Sequence, residues 1–143
     1  MSLLRAGTDL AEINARCRDF LPGVLGIEMT SIEQGTGSSR MAVQTMHFAP
    51  NTYLHAASVI AIADSTCGFC TMAHLPEGAL SFTTIELKSN HLSTVRSGVV
   101  ACVATAVHLG KSTQVWDAVV TDEASGKTIA LYRCTQMILW PKA

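Results

Sequence analysis

Apolar residues recur at helical spacing near the start of the chain, where Leu10, Ile13, Cys17 and Phe20 share one face of residues 9–21. Asp9 and Glu12 have the spacing of a capping box, and Pro22 is expected to stop the helix. Beyond it the period shortens. Residues 23–34 and 38–44 read as two strands joined through Gln34-Gly35-Thr36-Gly37, whose glycines suit a hairpin needing positive φ. Residues 52–73 then form a long helical stretch that is apolar on nearly every side. It closes at Pro76-Glu77-Gly78, a turn signature. Downstream, residues 82–91, 98–108, 113–121 and 128–139 are rich in Val, Ile, Thr and aromatics, with turn-forming segments between them. Their spacing predicts a four-strand antiparallel meander.

This order predicts an α+β fold in one domain spanning 1–143. A helix apolar on nearly every side has to be enclosed. A curved antiparallel sheet of about six strands is large enough to wrap it. The sheet's outer face and open edge then remain for a second subunit.

Composition agrees with that expectation. The chain is 48% hydrophobic and only 15% charged, against a usual quarter. So few charges cover a monomer poorly, which predicts an oligomer. The net charge of −1 and the absence of any Lys/Arg run argue against nucleic acid or a membrane surface as partner. Residues 56–72 form the longest weakly polar run, and Asp64 interrupts it, so it reads as a buried helix rather than a span. No basic region followed by a long apolar stretch opens the sequence, so no secretory signal is expected. Five cysteines without framework spacing suggest reduced thiols in a cytoplasm.

Asp64 is the residue that stands out chemically. No charged residue lies within eight positions on either side, and a carboxylate so placed needs a partner, a wet cleft or a raised pKa. Satisfaction by a nearby hydroxyl such as Ser65 is the structural alternative. The second candidate is the helix entrance, Asn51 to Ala57, because a first turn has unpaired N–H groups and partial positive charge. Such a turn can polarise a carbonyl, with His55 orienting it or binding substrate. A structural hydrogen bond is the plainer role for that histidine. His55 and Asp64 are nine residues apart, which places them on opposite helix faces and roughly 13 Å apart along the axis. Two antiparallel copies of the helix at a dimer interface bring them together.

The segment His47-Phe-Ala-Pro-Asn-Thr-Tyr-Leu-His55-Ala-Ala-Ser-Val-Ile-Ala-Ile-Ala-Asp64 resembles the signature of the PaaI-type hotdog thioesterases. That family shows Asn-Pro-x-Gly-x-x-His-Gly-Gly followed by an Asp or Glu nine residues after the His. The similarity runs from about residue 23 to 139. It implies a hotdog fold and hydrolysis of an acyl-CoA thioester at a homodimer interface, in dimers that can pair further. The Ala56 N–H would polarise the thioester carbonyl, and Asp64 of the other subunit would act as general base or nucleophile. Thr84 corresponds to a position that carries a hydroxyl in some relatives, although strand alternation sets Thr83, not Thr84, on the face of Ile85 and Leu87. Asn51 and Ala57 would line the substrate, and Arg96 and Lys111 are the loop cations for CoA phosphates. No cofactor is implied beyond coenzyme A in the substrate, and no metal.

Two departures matter. Ala56-Ala57 replaces the family's Gly-Gly, and Ala49 replaces its polar residue six positions before the histidine. They motivate a second reading, a non-catalytic hotdog module that binds acyl-CoA or another acyl ligand. A hotdog acyl-CoA dehydratase is the third; that family usually needs an acid/base His at a different helix position, and this helix offers Asp64 instead. Cys67-Gly-Phe-Cys70 lacks the second pair that zinc needs and reads as core. His47, His74, His91 and His108 show no ligand spacing, and Met41, Met46 and Met72 read as packing. No GxSxG, P-loop or GxGxxG is present.

Overall fold

A computed structural model describes residues 2–142. A short helix α1 (Leu10–Arg16) is capped by Asp9, whose carboxylate accepts the Ala11 and Glu12 N–H groups. Here the structure corrects the expected helix over 9–21. The chain leaves α1 at Cys17, and Pro22 sits in the first turn of a second helix, α2 (Leu21–Val24), where its missing N–H costs nothing. Strands β1 (Ile27–Glu33) and β2 (Thr36–Ala42) form the predicted hairpin. Its two glycines do different work. Gly35 turns the chain at φ +74°, whereas Gly37 admits the central helix: a Cβ there would lie 2.4 Å from the Cys70 sulfur.

The central helix α3 runs Ala56–Ala73, starting four residues later than predicted. It is long and apolar enough to cross a membrane by composition, yet half of it is buried inside this fold. Ser58, Val59, Ile62, Ala63, Thr66, Cys67 and Cys70 press onto the sheet. Met72 is exposed, as is Met46, so of the three methionines read as packing only Met41 is buried. Strands β3 (Ser81–His91), β4 (Val99–Leu109), β5 (Thr113–Asp122) and β6 (Thr128–Leu139) complete an antiparallel sheet in the order β1-β2-β4-β5-β6-β3. The four-strand meander is therefore corrected to three strands. β3 crosses to the far edge and pairs with β6. The core between helix and sheet holds Met41, Ile62, Val100, Trp116, Val120 and Ile129.

Two buried histidines lock the ends of α3. Before its start, the His47 ring accepts the Gln44 N–H at Nδ1 and donates from Nε2 to the Leu25 carbonyl, both at 2.9 Å. The His47 carbonyl then accepts the His55 N–H and the Ser58 hydroxyl. After its end, His74 Nδ1 donates to the Cys70 carbonyl at 2.7 Å and Nε2 accepts the Gly35 N–H at 2.9 Å. Gln114 donates to the His74 carbonyl and accepts from the Trp116 indole, so every buried polar group there is matched.

Candidate active site

Asp64 lies midway along α3, half-buried, where apolar surroundings make an unpaired carboxylate costly. Its partner comes from β6. The Tyr132 hydroxyl donates to Asp64 Oδ1 at 2.7 Å. Tyr132 itself is only 3% exposed. Burial, followed by the hydrogen bond to Asp64, pushes its phenol far above the usual tyrosine range. It therefore stays a donor at any working pH. Ser65, the hydroxyl of the structural alternative, is not the partner; the hydroxyl that satisfies Asp64 stands 68 residues downstream.

Cys134, two residues along β6, meets Cys67, one helical turn beyond Asp64. Their mutual hydrogen bond and burial hold the Cys67 thiol well above its ordinary value. Burial likewise pushes Cys70 and Cys102 up to about 12. Cys67, Cys70 and Cys102 are protonated core thiols rather than nucleophiles, while the hydrogen bond with Cys67 holds the Cys134 thiol below its ordinary value. Among the described residues no group of His, Cys, Asp and Glu is arranged to hold a metal ion.

The entrance to α3 is built as a tight loop. Ala49 N–H donates to the Tyr53 carbonyl at 2.8 Å and Thr52 N–H to the Ala49 carbonyl at 2.9 Å. Asn51 contributes its side-chain oxygen to the Tyr53 N–H, so it builds the turn. Thr52 stands where the family signature has glycine and adopts φ +68°, alone among the described non-glycine residues. His55 is the N-cap, its Nδ1 accepting the Ala57 N–H at 2.9 Å. Nothing among the described residues accepts the Ala56 N–H, and Ala56 is exposed. Neither Ala56 nor Ala57 has a positive φ. The alanines thus leave the N–H in place, pointing out of an ordinary helical first turn.

Arg96 joins this entrance: its guanidinium lies 4.9 Å from the Tyr53 ring centre, while Thr94 accepts the Leu54 N–H. Lys111 does not join it. It sits over Trp140 beyond the opposite end of α3, beside an open depression of about 800 Å³. Within one protomer the two cations therefore flank different ends of an 18-residue helix, roughly 27 Å apart along its axis.

Thr84 requires a correction as well. Thr84 pairs with Gln136 but Glu86 pairs with Thr135, so Ile85 is an extra, bulged residue. Past the bulge the alternation reverses, and Thr84 shares the helix-facing side with Leu87. Its hydroxyl donates to Gln136 at 2.7 Å, in line with Cys134 and Tyr132. Sequence reasoning missed Tyr132 entirely. The available signal was a tyrosine alternating with Cys134 and Gln136 on an inward face, where its hydroxyl must find a partner. Missed too was an apolar groove of about 580 Å³ beside α3, walled by Ile13, Cys17, Phe20, Phe69 and Met72.

Comparisons with known proteins agree with this architecture. The sequence model of the thioesterase superfamily matches residues 51–129. A 1,4-dihydroxy-2-naphthoyl-CoA hydrolase of Listeria monocytogenes is 32% identical over 115 residues, covering 80% of this chain and 92% of that protein. The crystal structure of a variant of thioesterase PA1618 from Pseudomonas aeruginosa superposes with a TM-score of 0.90 at 29% identity, covering 96% of this chain and 99% of the other. The PaaI protein of Escherichia coli shares the fold, with a TM-score of 0.78 at 22% identity over 90% of this chain and 93% of its own. The chain therefore belongs to the thioesterase superfamily, and it is a thioester hydrolase built on the PaaI-type hotdog fold.

Proposed function

We propose that the protein hydrolyses a small acyl-CoA or aryl-CoA thioester at sites completed between two protomers. The observation that carries this reading is the separation of two groups on one helix. The free Ala56 N–H and the Asp64 carboxylate are eight residues apart, which sets them roughly 12 Å apart along the axis. One thioester cannot touch both in a single protomer. The edge strand β3 offers the means to join them. It is eleven residues long, pairs on one side only, and exposes Ile85 and Leu87. A bare edge of that length is a template for antiparallel pairing with a second copy. A two-fold axis there sets the two α3 helices antiparallel, each entrance toward the other protomer's Asp64.

In such a site the Ala56 N–H donates to the thioester oxygen as negative charge develops on it. Asp64 takes a proton from water while the water oxygen bonds to the acyl carbon. The C–S bond then breaks, the sulfur leaves as the thiolate of coenzyme A, and the proton that Asp64 took from water passes to that sulfur. Arg96, beside the entrance, is the cation suited to the CoA phosphates. Likeness to a naphthoyl-CoA hydrolase favours an aryl acyl group.

Thiol release from a panel of acyl- and aryl-CoA esters tests this reading. Wild type turns over at least one ester, and Asp64→Asn lowers kcat by about a hundredfold or more, as losing an acid/base group does. Equal turnover by both proteins removes Asp64 from the chemistry. No release from any ester by wild type removes the substrate class.

A further inference from the structure

Resting on that reading of Asp64, we infer that Tyr132 is a positioning residue for the reaction: by holding Asp64 Oδ1 from a buried ring, it leaves Oδ2 as the oxygen that meets the water. The geometry points to this on three counts. An aspartate midway along a helix has more than one open rotamer, and its carboxylate takes its hydrogen bond from β6, not from its own helix. The Tyr132 ring, by contrast, is clamped: it lies between Ala118 of β5 and Ser89 of β3 in the strand register and is almost wholly buried. Its hydroxyl stands 2.7 Å from one carboxylate oxygen and donates to it. A fixed donor on one oxygen orients the other, the same logic by which a supporting hydrogen bond fixes a catalytic base.

The donor role is one-way. Burial and the neighbouring carboxylate keep the phenol protonated, so it cannot compete for the water's proton. The groups around the pair are few. Cys134 faces it from β6 and Cys67 from α3; their mutual hydrogen bond holds the Cys67 thiol above its ordinary value and the Cys134 thiol below it. Glu86 and Lys88 of β3 pair with Thr135 and Arg133, on the sheet face away from the helix, and His91 lies at the strand's exposed end.

Tyr132→Phe keeps the ring and removes only the donor. The expected result is a kcat lowered about tenfold with KM changed less than about twofold, since the contact serves the attacking water rather than substrate binding. In an Asp64→Asn background the same substitution costs nothing further, because Tyr132 acts through Asp64. A further loss there, or a wild-type kcat in the single variant, overturns the proposal. Asp64→Glu leaves Tyr132 untouched and carries its oxygens past the phenol; undiminished kcat in it would also count against positioning. Infrared difference spectra in the carboxylate-stretch region read the contact without substrate: a shifted band is expected in Tyr132→Phe, and an unchanged one overturns the contact. Should wild type release no thiol, the hydrolytic reading falls and takes the positioning role with it, while the spectrum still decides the contact.

Discussion

The two ends of α3 are finished in opposite ways. At its end, His74 is fully buried, both ring nitrogens are bonded, and Gln114 and Trp116 close the network around it. At its start, the cap is an exposed histidine, the preceding loop holds Thr52 at φ +68°, and the Ala56 N–H has no acceptor among the described residues. The contrast is physical. A helix terminus whose orphan groups are all matched contributes stability and nothing else, whereas an unmatched N–H beside solvent is free for a ligand's oxygen. Asp64 lies between these regimes, satisfied on one oxygen by Tyr132 and open on the other.

Substitutions at Asp64 break the open half most severely, since Asp64→Asn is expected to cost about a hundredfold or more in kcat while thermal stability changes little. In the closed half, Gly37→Ala drives a methyl into the Cys70 sulfur and toward the Ser31 carbonyl, 3.1 Å away. Urea unfolding should show a loss of about 2 kcal/mol. Adding Cys70→Ala, which removes that sulfur, should restore much of it.

The same half carries a pH signature. Burial holds the His74 imidazole below its ordinary value of 6.5. The folded state thus favours the neutral ring, so this contribution is present above pH 6.5 and is lost as the pH falls from there through the lower folded-state value. Urea midpoints measured at about pH 7.5 and 5.5 should drop for wild type and drop less for His74→Gln. The smallest effect belongs to the open half. Thr52→Gly relieves a β-branched residue at positive φ and should raise stability by about 0.5–1 kcal/mol. If that substitution instead destabilises, the loop is not strained and the contrast between the two ends weakens.

What was legible in the sequence follows from the range of the forces involved. The β1–β2 hairpin, the buried central helix and the strand character of the C-terminal half rest on periodicity and turn chemistry, and all are present. The start of α3 was misread because Asn51, Thr52 and Tyr53 spend their backbone and side-chain groups on a turn that resembles a first helical turn in composition. The meander was misread because sequential order says little about which strand crosses: residues 82–91 find their partner in residues 128–139, a pairing set by long-range register. Thr84 was assigned to the wrong face because a one-residue bulge at Ile85 leaves no mark on the alternation. Asp64 stood out because an isolated carboxylate in an apolar helix demands explanation. Tyr132 did not, because an aromatic residue in a strand demands none until its hydroxyl is seen to be buried.

The central claim is that one thioester meets Ala56 of one protomer and Asp64 of the other, and mixing two inactive variants tests it most directly. Ala56→Pro removes the N–H at the first helical position, where proline is tolerated, and His55 already has the extended backbone that a following proline requires. Asp64→Asn removes the carboxylate. Each variant alone should release thiol at a small fraction of the wild-type rate. Co-refolded in equal amounts, half the dimers are mixed and each mixed dimer holds one intact site. The account predicts recovery to about a quarter of wild-type activity. No recovery, from variants that fold and assemble like wild type, would contradict a site shared between protomers.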